Sequence, residues 1–415
     1  MKIVLVVLAL LGARAEAAGF EKNVLWSGKH VGIGGAAASS VAGSEALLYN
    51  PAGLAQAPGM GDVAVNFSPT FGHFKGPIAV ATTLEESDES FSPVGGLTAS
   101  YNISDRFGIG LGYFVTGGTK AVFEDVALTG VTGASGVRLA PKIQSVLSVT
   151  EFSVGAAYEL VPGLSLGAAW RTVRVNGEFY TASAGTTPAP NFTYVRIDDM
   201  KDTRYDGFRV GAQLNPAGAK WGVGATYRNN VDFEGAGTSS GQFALFSGTT
   251  TDLSGGPTTL TSSFPWQASL GAHYDIMDEL RAHLEFTHTN YSRVRTLLIS
   301  GPIGTGRIPS VSTNWRDQNN YRLGFTYSGL QDMKLRAGYV LTTKVVPNQA
   351  ARATFSSPAS GHTVTAGAGF GLMQSLSLDG ALEYSFSKGK GESPVLAADY
   401  STTAYVFHLG TTYSF

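Results

Sequence analysis

Phe107-Gly108-Ile109-Gly110-Leu111-Gly112-Tyr113-Phe114-Val115 carries a large apolar side chain at every odd position. A period of two belongs to a strand, whose successive side chains point to opposite faces. A helix would scatter these residues around its circumference. The same alternation recurs at 63–67, 97–103, 152–160, 164–170, 208–214, 221–227, 264–274, 280–286, 321–327, 335–341, 364–372, 376–386 and 405–415. The count is about fourteen strands, an even number such as a closed antiparallel transmembrane barrel requires.

The connections support closure. Short turns fall near 102–105, 161–163, 215–219, 276–279, 328–332 and 373–375. Longer polar or Gly/Ser/Thr/Pro-rich stretches lie near 70–92, 117–142, 177–203, 235–261, 296–317, 345–361 and 388–402. Six short turns and seven long loops suit a barrel with both ends on the periplasmic side. Trp170, Trp221, Tyr227, Trp266, Tyr274, Tyr327, Tyr384 and Tyr413 sit near strand ends, where amphipathic rings meet lipid headgroups. A soluble β-sandwich or a helical solenoid is the competing reading. Neither explains fourteen strands in one array ending on the aromatic Phe415.

Composition agrees. The chain has 415 residues, 53 glycines, no cysteine and 14% charged residues. Its mean hydropathy is +0.05, and no apolar run beyond the N-terminus is long enough for a helical span. Barrel strands escape that test because only alternate residues face lipid. Without cysteine, an exported protein has neither disulfides nor thiolate metal sites. Residues 1–17 read as a secretory leader cleaved after Ala17: Lys2 is the positive end, Ile3 to Leu11 the apolar segment and Ala15-Glu16-Ala17 the cleavage signal. Losing Lys2, Arg14 and Glu16 makes the formal net charge of −2 slightly more negative, which argues against nucleic acid as a partner.

The stretch Gly32 to Ala55 differs from everything after it, being small-residued and helix-capable. Ser44 is placed to cap a helix over Glu45-Ala46-Leu47-Leu48, and Pro51 to stop it. We read 18–60 as a compact plug for a barrel spanning 61–415. Gly32-Ile33-Gly34-Gly35-Ala36-Ala37 spells a dinucleotide motif, but no strand precedes it in a βαβ unit. Gly237-Thr238-Ser239-Ser240-Gly241 spells a nucleophile elbow, but lies in a loop. The seven histidines lack metal-binding spacing, and His283 and Glu285 would share a lumen-facing side. No catalytic residue, metal or cofactor is expected; an outer-membrane hydrolase is a minor alternative.

Alternation directs Glu151, Arg171, Arg209, Arg228, Arg281, Glu285, Arg322, Arg336, Lys344, Asp379 and Glu383 inward. Both signs are present, so most should pair with one another or with the plug, because isolated buried ions are costly. Arg171, Arg174, Arg336 and Lys344 are the candidates for a ligand carboxylate.

These features resemble the FadL-type outer-membrane long-chain fatty-acid transporters, a family that includes the TodX-like aromatic-hydrocarbon channels. The resemblance rests on Ala18-Gly19-Phe20, on the hatch signature Asn50-Pro51-Ala52 with Gly53, and on Pro265-Trp266-Gln267. It continues in Glu285 to Ser292, Tyr321-Arg322-Leu323-Gly324, Leu335-Arg336-Ala337-Gly338-Tyr339 and Val346-Pro347-Asn348 with Arg352. A second Asn215-Pro216-Ala217-Gly218 is an ordinary turn.

The resemblance implies an N-terminal hatch, an external groove that captures hydrophobic ligand, and an inner pocket touching Ala18, Gly19 and Phe20. It also implies sideways release into outer-membrane lipid beside a kinked third strand, here expected at Gly117-Gly118. Phe179, Tyr180, Phe192 and Tyr194 would form an external platform, with Phe243, Leu245 and Phe246 opposite. The expected cargo is a long-chain fatty acid, with an aromatic hydrocarbon as the alternative and a surface adhesin or receptor barrel as a third reading. Phe415 matches the C-terminal signal read by the barrel-assembly machinery, and a monomer in the bacterial outer membrane is expected.

Overall fold

The computed structural model describes residues 26–57, 59–77, 85–87, 90–126, 141–185, 191–245, 250–352, 357–392 and 397–415. Residues 1–17, read above as a leader, and Ala18 to Phe20 and Phe246 lie outside the described residues. Fourteen antiparallel strands form one closed ring: β1 Gly61–Gly76, β2 Ser90–Ser104, β3 Phe107–Phe123, β4 Ile143–Val161, β5 Leu164–Gly185, β6 Asn191–Leu214, β7 Trp221–Arg228, β8 Gln267–Met277, β9 Leu280–Thr289, β10 Gln318–Leu330, β11 Met333–Thr342, β12 Gly361–Met373, β13 Leu376–Lys390 and β14 Asp399–Ser414. Each of the fourteen alternating stretches lies on one of them or runs directly into it.

Closure is made by β1 pairing with both β2, through Val65 and Leu97, and β14, through Val65 and Thr411. Phe415 completes the seam: its carbonyl accepts from Met60 N at 2.7 Å and its N–H donates to Gly61 O at 3.0 Å. Closure leaves no unpaired edge for hydrocarbon to desolvate. Val65, Leu97, Leu111, Phe152, Leu270, Leu284 and Leu409 point outward and are exposed, as an apolar band facing lipid requires.

Several stretches expected to be loops are wall. β5 and β6 run on through most of 177–203. Val231–Leu245 pairs with the upper half of β6, and Pro257–Phe264 pairs with Val231–Leu245. β7 and Val231–Leu245 are thus one strand interrupted at Asn229-Asn230. There the Asn229 side chain replaces ladder bonds, accepting from Phe208 N at 2.6 Å and donating to Asp206 O at 3.0 Å.

Simple alternation does not reveal the extension, because the chemistry of the two faces inverts along each strand. On lower β5 the outward residues Leu166 and Trp170 are apolar, and the inward ones are Ser165, Gly167, Ala169 and Arg171. Higher up, the inward Val173, Val175 and Phe179 are buried, while the outward Arg174 is exposed. Val231 and Phe233 repeat this inside, with Asp232 and Glu234 outside. Below the inversion the surroundings are lipid; above it they are water, and the lumen is the apolar phase.

Leu270→Arg, on the lipid face, is expected to destabilise the folded barrel by roughly 2–4 kcal/mol near the bilayer midplane. Glu234→Arg, on the exposed outer face above the inversion, should change stability by less than about 0.5 kcal/mol. Denaturant unfolding of the two variants in lipid vesicles checks both values, and equal costs would place the membrane boundary wrongly.

Candidate functional site

The lower lumen is filled by the hatch. Its regular pieces are short: α1 Gly28–Val31, α2 Ala46–Tyr49 and a 3-10 helix Pro51–Gln56. Turns connect them, so the hatch depends on the wall for its polar partners. Asn50 shows how. Its Oδ1 accepts from Ala52 N at 3.2 Å, capping the 3-10 helix, and its Nδ2 donates to Ala38 O at 2.7 Å and Ala212 O at 3.0 Å. One amide therefore holds two hatch segments and β6 together. A Cβ at Gly211 would collide with this side chain, which is why the wall carries glycine there. Pro51 starts a helix where the sequence suggested only a stop. Ser44 does not cap α2: its N–H donates to Asp62 at 2.9 Å and its hydroxyl to the same carboxylate at 2.7 Å.

Above and around the hatch runs a belt of paired charges. Glu151 accepts from Arg171 at 2.7 Å and Arg209 at 3.2 Å, with Ser153 Oγ at 2.6 Å, and Arg209 also donates to the hatch carbonyl of Leu47. Glu285 accepts from hatch Ala38 N at 2.9 Å and lies 3.4 Å from Arg322, whose Nε donates to Gly34 O at 3.2 Å. Arg336 holds Asp379 at 2.7 Å. His283 and Glu285 both face the lumen, but His283 bonds Thr326 at 3.2 Å and Glu285 bonds the hatch. Inward charges thus fix the plug in the wall.

Over this belt the lumen lining turns apolar. One cluster joins Leu147, Val175, Phe179, Ile197, Phe233, Phe264, Tyr291, Trp315, Val345 and Val346. A second joins Phe74, Ala121, Phe123, Ile143, Phe192, Ala351 and Tyr400. The segment 345–351 contributes to both, so one continuous loop bridges them.

Beside the second cluster the ladder of the wall is interrupted. β2 pairs with β3 only from Ser104↔Phe107 to Gly96↔Phe114, although β2 stays paired to β1 up to Ser90 and β3 to β4 up to Phe123. Among the described residues no ladder joins Phe91–Gly95 to Val115–Phe123. The causes are local. Pro93 lies opposite Pro69 on β1, and two prolines cannot exchange N–H bonds, so the missing donor of Pro93 falls on the β3 side. On β3 the register slips between Val115 and Gly117, and Gly118 has φ +146°, a conformation glycine supplies without strain.

The sequence-selected residues separate accordingly. Gly117 and Gly118 lie at the interruption. Asn50 to Gly53 lie at the hatch–wall contact. Arg171 and Arg336 were expected to greet a carboxylate but hold Glu151 and Asp379, and Arg336 lines a cavity of about 500 Å3 between hatch and wall with Lys29 and Lys334. Arg174 points outward, because residues three apart on one strand occupy opposite faces.

Phe179 and Phe192 are buried in the lumen lining and do not form an external platform. Tyr194 packs against the second cluster. Tyr180 faces away from Phe179, bonding Asp198 at 2.6 Å under the Arg196 guanidinium. Phe243 and Leu245 are half-buried beside Phe192 on the adjoining strand, with Ala244 the residue paired to it. Lys344 lies at the start of the bridging loop and donates to Asn348 Oδ1; burial, helped by Arg316 and opposed by Glu392, lowers its ammonium pKa. The sequence reading passed over Pro93, whose signal was a proline inside an otherwise regular strand.

The family model described as outer membrane protein transport protein (OMPP1/FadL/TodX) matches residues 8–415. Among solved structures, a Pseudomonas aeruginosa FadL homologue is 17% identical with a TM-score of 0.75, covering 96% of this chain and 100% of that one. The Pseudomonas putida toluene transporter TodX is 16% identical with a TM-score of 0.76, covering 96% and 99%. The CymD monoaromatic hydrocarbon channel is 17% identical with a TM-score of 0.71, covering 95% and 99%. No curated protein matches the chain.

Replacing Asn50 by alanine removes the helix cap and the Nδ2 bonds to hatch and wall carbonyls, a loss of roughly 2–4 kcal/mol in hatch docking. The expected outcome in planar bilayers is a raised ion conductance with the barrel intact. Glu151→Gln, which removes the negative charge paired with two buried arginines, should instead lower global stability by roughly 3–5 kcal/mol on denaturant unfolding.

Proposed function

This chain belongs to the OMPP1/FadL/TodX family of outer-membrane transport proteins, and from that premise we propose that it passes hydrophobic small molecules from outside the cell into the outer membrane without covalent chemistry. The observation that carries the proposal is the interruption between β2 and β3 beside an apolar lumen above a plugged floor. Straight passage meets the hatch, whereas sideways passage leads from apolar lining to lipid. A greasy molecule gains nothing from a water-filled pore, and lateral exit spares it full rehydration.

The expected order is capture at the upper apolar lining, movement of the hatch, and release beside Gly117-Gly118. Long-chain fatty acids are the preferred cargo. Two apolar clusters bridged by one loop offer an extended lining, and Lys344 and Arg352 flank that loop as cations for a carboxylate. The likeness to solved aromatic-hydrocarbon channels supports the second reading, a small aromatic cargo.

Uptake of labelled oleate and labelled toluene by cells producing the full chain separates the two readings, and failure to carry either would end the transport proposal. Pro93→Val restores a donor facing β3 and should narrow the exit. One recovered backbone hydrogen bond of about 1 kcal/mol corresponds to a fall in uptake of roughly fivefold. Unchanged uptake in that variant would argue against lateral release.

A further inference from the structure

Lys120 stands at the interruption with its ammonium Nζ donating to the carbonyl of Phe91 across it, at 3.0 Å. The alternation that turns the missing donor of Pro93 toward β3 also turns the Phe91 carbonyl toward β3, two residues earlier. A side chain thereby occupies an acceptor that a continuous ladder would have used. Lys120 is partly exposed and makes no ion pair among the described residues. Phe91 beside it is exposed on the outer face, with its ring 5.4 Å from that of Phe71. On the other side of the same backbone, the Thr119 hydroxyl is buried and has no hydrogen-bond partner among the described residues. Neighbouring residues of a strand point to opposite faces, so Thr119 and Lys120 bracket the wall at the place where its ladder is interrupted.

We infer that Lys120 is a latch and a specificity residue of the lateral exit, favouring amphiphiles that carry a carboxylate over neutral hydrocarbons. The inference rests on the transport reading given above. A carboxylate reaching the opening can take one hydrogen bond from the unpartnered Thr119 hydroxyl and then replace the Phe91 carbonyl on Lys120. The replacement exchanges a hydrogen bond to a neutral acceptor for one between two charged groups, which is the stronger kind. A neutral hydrocarbon has nothing to offer the ammonium and must leave with the latch in place. The same lysine protects the open strand edge when no cargo is present, as charged residues do on edges elsewhere.

The test compares the full-length protein with Lys120→Met, Lys120→Gln and Lys120→Arg in cells, using labelled oleate and labelled decane. Uptake is scored per folded barrel by heat-modifiable electrophoretic mobility. An exposed ion pair of up to about 1 kcal/mol corresponds to a two- to fivefold effect. Lys120→Met and Lys120→Gln should lower oleate uptake by that factor and leave decane uptake equal or higher, and Lys120→Arg should keep oleate uptake near that of the parent. If the parent carries cargo but the two neutral variants change both cargoes alike, or neither, the latch is overturned and transport stands. If the parent carries neither, the transport reading falls and the latch with it.

Discussion

A backbone N–H or C=O in hydrocarbon has no water to turn to, and each one left unpaired costs several kcal/mol. That constraint places every strand of this protein. It demands the seam between β1 and β14, down to the bonds that Phe415 makes with Met60 and Gly61. It also explains why the hatch can be so irregular. Its turns lie inside the ring, where Asn50, Arg209, Arg322 and Glu285 supply the bonds that short helices cannot.

The lapse of the ladder between upper β2 and β3 is therefore informative. Pro93, the slip after Val115 and the φ of Gly118 each remove or displace a bond at the same level of the wall, and Lys120 covers one of the acceptors left over. Three independent departures from strand chemistry in one spot are what a tolerated opening looks like. A random defect would leave the Phe91 carbonyl bare.

Charge and apolarity divide the lumen by height. Near the hatch, ions are paired because burial leaves them no alternative, and their work is to seat the plug. Above it the inner face is lined by Val, Ile and Phe, and the charges have moved outside to meet water. Arg171 and Arg174 show the consequence within four residues. The first is locked to Glu151 inside, the second is exposed outside, and neither faces an incoming ligand.

Strand number, short turns and the lipid-facing set were legible in the sequence by themselves. A period of two is a local property, and lipid demands the same outward chemistry from every strand. The plug was legible too, as a small-residued stretch ahead of the strands. The reach of the wall above the membrane was not. There the apolar face changes sides, and a linear reading takes mixed polar and apolar residues for loops, as it did with Phe179 and Phe192. Nor could the sequence show which inward charges were already engaged, since Glu151 and Arg209 are 58 residues apart and Gly34 and Arg322 are 288 apart. Only closure of the barrel around the hatch brings such residues within bonding distance. Only the pairing of β2 with β1 but not with upper β3 turns a proline, a glycine pair and a lysine into an opening.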